Sequence, residues 1–387
     1  MSESDTDSNA TYARLRATTP VFWDEAAGAW FITRYADVAA LLLDARLGAR
    51  LSSVDLAGIP APVRDQVGAL EAFLGRWLVF SDAPYQARMR KAIAPAFVPA
   101  SIAALTGVLR SHARKHLGHF VEQGGGDLVH DLTKPFALSV AGEFLGFAAA
   151  DHGRLATWSG DIMGYVTAAF DPELTARAAA ALHELSTWVL TSLLPRGDGP
   201  VAATLAAGTA RGELTGAEAV AIVAQLLTGG VEPVSVAAAV CSAALHQQPD
   251  ALARVRAGTL PLSLAVEETL RWQTPFHFAP RRVRTDFVFQ GEQFRAGDRV
   301  ALVLASANRD ERKFSRPDVF DPFRTERGHL AFGRGGHYCM GAALARLEIE
   351  ELVRALHDGL PAARSWGPAE FASSYGATEL RSVPVLI

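Results

Sequence analysis

Ten residues, Phe332 to Gly341 (Phe-Gly-Arg-Gly-Gly-His-Tyr-Cys-Met-Gly), constrain this chain more than any other stretch. Gly333, Gly335 and Gly336 allow positive φ and a close approach of the backbone to a bulky group. From Met340 to Leu356 the apolar spacing is that of a helix. Cys339 is therefore predicted at a helix N-terminus. There, open backbone N–H groups and the positive end of the macrodipole favour thiolate over thiol. The thiolate is the form that binds a metal.

Plainer readings compete. A buried structural thiol is the usual fate of a lone cysteine. Zinc fits poorly, because His337 and Cys339 supply two ligands at most, the other cysteine is the distant Cys241, and no Cys-x-x-Cys pair completes a tetrahedron. A phosphate cradle also fails: no Lys-Ser/Thr follows the glycines, and Tyr338 stands where a dinucleotide fingerprint needs glycine. A net charge of -4 without Lys/Arg runs argues against nucleic acid or an anionic membrane as partner. Nothing in the 387 residues reads as a linker. A polar, disordered arm over residues 1–15 and a single domain over 16–387 are expected. With no signal peptide and no apolar run of spanning length, the expectation is a soluble cytoplasmic protein.

The periodicities predict helices with a minority of strands, a mainly α fold with a small β portion. Pro20–Trp23 and Trp30–Thr33 read as a hairpin about Ala26-Ala27-Gly28. Asp82-Ala83-Pro84 reads as a cap and early proline opening a helix over Tyr85–Phe97. A long apolar helix is predicted over Thr215–Gln247, and strands over Arg282–Phe289 and Arg299–Leu304.

The Phe332–Gly341 segment resembles the haem-binding signature of the cytochrome P-450 family, Phe-x-x-Gly-x-His/Arg-x-Cys-x-Gly, at every fixed position. Glu268-Thr269-Leu270-Arg271 resembles the family's Glu-x-x-Arg motif, and Pro317 to Arg324 resembles its meander with a third, arginine partner. Glu268 and Arg271 share a helix face, and Arg324 can close a charged cluster that is structural in role. The resemblance implies haem b (iron protoporphyrin IX) held between a long central helix and the cysteine loop, with Cys339 on the iron. It assigns Phe332 to the haem contact and Gln86, Arg90, Arg282 and His337 to the propionates, for which arginine forks are apt. Gln86 stands where many relatives have histidine.

The central helix departs from the family pattern. Leu226 to Val234 resembles the oxygen-binding segment Ala/Gly-Gly-x-Asp/Glu-Thr through Gly229, Gly230, Val231 and Glu232, but Pro233 replaces the threonine. Proline has no hydroxyl for proton relay. It also has no N–H, which frees the carbonyl of Gly229 and favours a kink. The plain alternative is a bend in a core helix. The implied activity is oxidation of a small aromatic or apolar natural-product intermediate, by hydroxylation or intramolecular oxidative coupling. Peroxide-dependent or non-redox haem chemistry and a catalytically silent partner of the same fold are the alternatives. By resemblance, substrate touches Phe80, Met163, Val231, Phe278 and Tyr375. The chain has no flavin, nicotinamide or iron–sulfur motif. Electrons are thus expected from a ferredoxin with its ferredoxin reductase, docking a monomer on Arg88, Lys91, Arg334 and Arg346.

Overall fold

Alternation along the aromatic and β-branched runs builds a five-stranded sheet. Its order is Val21–Asp24, Ala29–Ile32, Arg299–Val303, Phe278–Val283, Leu47–Gly48. The computed structural model describes residues 8–49, 56, 59, 61–167, 171–360, 365–372 and 376–387. The hairpin sets Trp23 opposite Trp30, and Ala29–Ile32 then runs parallel to Arg299–Leu302. Side chains on the two faces enter different cores. Ile32, Val283, Val300 and Leu302 pack with Leu41, Leu42 and Leu330, whereas Ala29, Phe31 and Val303 pack with Tyr12.

The chain divides into two units of interleaved segments: Met1–Gly48, Gly107–Phe136 and Pro233–Ile387 in one, Ala49–Thr106 and Ala137–Glu232 in the other. The first holds the sheet with the helices Leu262–Trp272 and Ala342–Gly359. The second is helical, with Ala61–Leu74, Tyr85–Ile93, His152–Thr167 and Pro172–Trp188 among its members.

Several expectations change. The arm expected over residues 1–15 is helical from Ser8 to Thr18. Tyr12 is buried there, and the buried Arg16 reaches the Ser306 carbonyl at 3.2 Å, the Ser306 hydroxyl at 3.1 Å and Glu311 at 3.2 Å. Two anchors outweigh a polar composition. The helix Tyr85–Ile93 takes Pro84 as its N-cap in place of Asp82, whose carboxylate accepts the Ala49 N–H at 2.8 Å. Finally, the central helix Gly216–His246 is long and apolar enough to cross a membrane, contrary to expectation, yet 67% of its apolar window is buried within the protein. It is a core helix.

The central helix opens with a capping box. Thr215 Oγ1 accepts the Glu218 N–H at 3.2 Å, and Glu218 accepts the Thr215 N–H at 2.8 Å. Glu218 also pairs with Arg88 of Tyr85–Ile93. The predicted strand Arg282–Phe289 is two strands, Phe278–Val283 and Phe287–Phe289, the second pairing with Glu292–Phe294.

Candidate functional site

The cysteine loop closes on itself. Gly333 and Gly335 take φ of 68° and 67°. The Cys339 N–H donates to the Phe332 carbonyl at 2.9 Å, and the Tyr338 N–H to that of Gly335 at 3.0 Å. A Cβ on Gly335 would stand 2.7 Å from Leu43 Cδ2. Cys339 is exposed, just before helix Ala342–Gly359, whose N-cap Gly341 offers no side chain. His337 and Phe332 are half-buried. Arg346, one turn into that helix, lies 4.5 Å over the Phe332 ring and bonds both carboxylate oxygens of Glu267, at 2.5 and 3.1 Å. Burial pushes the Glu267 pKa up, but hydrogen bonds from His329 and Arg346 outweigh it and hold the group at about 2.

Behind the loop, Glu268 and Arg271 form a two-pronged pair at 2.8 and 2.7 Å, and Arg324 Nε reaches Glu268 at 3.2 Å. All three side chains are 2% exposed. The remaining Arg271 donors take the carbonyls of Asn308, Pro317 and Val319. Arg324 takes those of Ser315, Arg316 and Val319. Glu268 also accepts the Asp321 N–H at 2.9 Å. Asn308 in turn accepts the Leu330 N–H at 2.6 Å, two residues ahead of Phe332. The cluster expected from the motifs therefore forms and braces the cysteine loop.

Strand alternation separates Arg282 from its neighbour. Arg281 shares a face with Ala279 and Val283, which pack on the core containing Leu42 and Leu330. Leu42 borders the cysteine loop, its carbonyl 3.7 Å from a Cβ on Gly335. Arg282 lies on the opposite face with Phe278, which meets Phe31 edge-on at 5.8 Å. Among the described residues its Nη1 is buried without a hydrogen-bond partner. Arg281 is 7% exposed, and alternation puts it on the Leu42 face. Period-2 counting from Val283 back along the strand was the available signal.

In the second unit, Gln86 is buried and Arg90 half-buried on Tyr85–Ile93. Met163 is half-buried on His152–Thr167. Phe80 stacks on Trp77, centroids 6.1 Å apart and planes within 6°. On the central helix Gly229 and Glu232 are exposed, and Cβ atoms on Gly229 or Gly230 would meet nothing within 4 Å. Val231 is 1% exposed. Helical geometry survives at Pro233. Tyr375 lies outside the described residues. Of the expected docking cations, Arg88 is paired with Glu218 and Arg346 with Glu267, while Lys91 and Arg334 are exposed.

Among the described residues no group of three or more His, Cys, Asp or Glu could hold a bare metal ion. A metal arriving with most of its ligands in a planar group needs only one protein sulfur. The exposed Cys339 on its glycine loop fits such a group.

A family model, Cytochrome P-450, matches residues 260–356. The cytochrome P-450 monooxygenase PikC of Streptomyces venezuelae is 32% identical over 92% of this chain and 84% of its own length. The crystal structure of CalO2 superposes with a TM-score of 0.87 at 28% identity, covering 99% of this chain and 98% of that one. The cytochrome P-450 enzyme CxnD, for C–S bond formation in chuangxinmycin biosynthesis, gives a TM-score of 0.84 at 27% identity, covering 98% and 94%.

Proposed function

Because the chain belongs to the cytochrome P-450 family and is a haem-thiolate monooxygenase, we propose that Cys339 is its one protein ligand to iron. We propose further that it oxidises a small apolar or aromatic natural-product intermediate, by hydroxylation or intramolecular oxidative coupling. The observation that carries this is the exposed cysteine on a left-handed glycine loop at a helix start. Bond formation by CxnD supports including the coupling branch.

When bound, haem supplies the oxidising power, and thiolate ligation favours O–O cleavage. The chain's own residues do the rest. Arg281, His337, Arg90 and Gln86 are the proposed donors that would hold the propionates. We assign that role to Arg281 in place of Arg282 on the strand-face argument. The Glu268–Arg271–Arg324 cluster fixes the segment that presents Cys339. Pro233 brings no hydroxyl, so Glu232 passes protons through water or the substrate supplies the missing donor. Bacterial members of the family draw electrons from redox partners. Here we propose a ferredoxin with its reductase, steered to a cytoplasmic monomer by Lys91 and Arg334.

Pro233 also favours a second reading, turnover driven by peroxide without an external donor. Mass spectrometry of products formed with reduced ferredoxin or with hydrogen peroxide separates the two. Substrate gaining oxygen or losing two hydrogens under ferredoxin supports the first, and product with peroxide alone supports the second. Candidate metabolites are first screened by the shift they cause in the haem Soret band.

A further inference from the structure

Within an α-helix the N–H of residue 233 would bond the carbonyl of residue 229, and proline has none. The central helix nevertheless keeps its form through Pro233. Gly229 is exposed and neither it nor Gly230 carries a side chain to cover that edge. The carbonyl of Gly229 therefore lacks its helical donor on an open surface. Four residues earlier, on the same helical face and about 6 Å along the axis, Gln225 Oε1 accepts the Leu78 N–H at 2.6 Å. This bond docks the Leu78–Phe80 turn on that face, bringing the stacked pair of Trp77 and Phe80. Trp77 is buried, while Phe80 stays half-buried.

An aromatic surface one turn from an acceptor without a donor selects for a flat ligand that donates. We propose that the Gly229 carbonyl is the polar anchor for the substrate, and that the substrate is a planar aromatic bearing a hydroxyl or N–H. The proposal rests on the haem-enzyme reading above and deepens it. The same donor would stand where the family pattern has its threonine hydroxyl. Ethers and quinones, which only accept, would leave the carbonyl unsatisfied and bind more weakly.

The test is equilibrium dialysis of 2-naphthol and 2-methoxynaphthalene against ferric holoenzyme, as wild type, Pro233→Ala and Phe80→Ala. Alanine restores an N–H at 233 that occupies the carbonyl, and as a strong helix former it leaves folding secure. Wild type is expected to prefer the naphthol, and the ratio of the two dissociation constants should fall about fivefold or more in Pro233→Ala. Phe80→Ala should weaken both probes alike and leave the ratio unchanged. A wild-type enzyme without donor preference, a ratio unmoved by Pro233→Ala, or no binding of either probe overturns the proposal. The Soret band of the same samples separates the two levels. Intact haem without donor preference sinks the anchor alone, whereas absent haem sinks the enzyme reading.

Discussion

The Glu268 cluster and the Gly229–Pro233 turn are opposites in hydrogen-bond accounting. In the first, three buried side chains meet charge partners, carbonyls and a main-chain N–H in a closed network. In the second, a proline removes a helical donor beside two glycines that cover nothing. A closed network leaves no valence for a ligand, so it holds the scaffold. An open one leaves a polar group for something outside the chain to satisfy. Function is to be sought in the second kind of place.

The contrast breaks most visibly if substitutions in the two regions move stability the same way. Glu268→Ala leaves two buried guanidinium groups short of their anion and should cost about 3–5 kcal/mol, read by chemical denaturation of the holoenzyme. Pro233→Ala should instead stabilise by about 1–3 kcal/mol, since it restores a helical bond and relieves the preceding turn. A Pro233→Ala protein less stable than wild type would show the turn to be structurally integrated after all. Gly335→Ala combines a left-handed φ with a 2.7 Å approach to Leu43. It should cost about 2 kcal/mol and loosen haem, seen as a lower ratio of haem to protein absorbance.

Two buried groups sharpen the comparison through pH. Burial, helped by Arg256 and His246, lowers the His357 pKa from 6.5 to about 4. Below 6.5 the unfolded chain takes a proton the folded one refuses. Stability is therefore intact above 6.5 and lost as pH falls toward 4. Between about pH 7 and about pH 5 the loss should be about 2 kcal/mol, and smaller in His357→Gln. Burial raises the Glu348 carboxyl well above its usual range. That contribution is present below the ordinary carboxylate range and fades as pH climbs through the raised value. Glu348→Gln should remove this decline, read in thermal melts that start in the ordinary carboxylate range and step upward in pH.

Much of this was legible in the chain itself. The cysteine loop, the Glu268–Arg271–Arg324 cluster and the hairpin register follow from short-range chemistry: glycine freedom, three-residue helical spacing and strand alternation. What escaped depended on distant partners. Nothing local announces that Arg16 reaches Ser306 and Glu311, so residues 1–15, which include the first part of the Ser8–Thr18 helix, read as an arm. Asp82 looks like the cap, but Pro84 takes that position and the Asp82 carboxylate meets Ala49. Arg88 and Arg346 looked like open surface charge until Glu218 and Glu267 took them.

The most direct test is the absorption spectrum of the reduced, carbon-monoxide-treated enzyme, wild type beside Cys339→His. Ligation by the Cys339 thiolate predicts a strongly red-shifted Soret band in wild type, lost in the variant together with activity. The same band in both proteins, or a wild type that never takes up haem, would contradict the account.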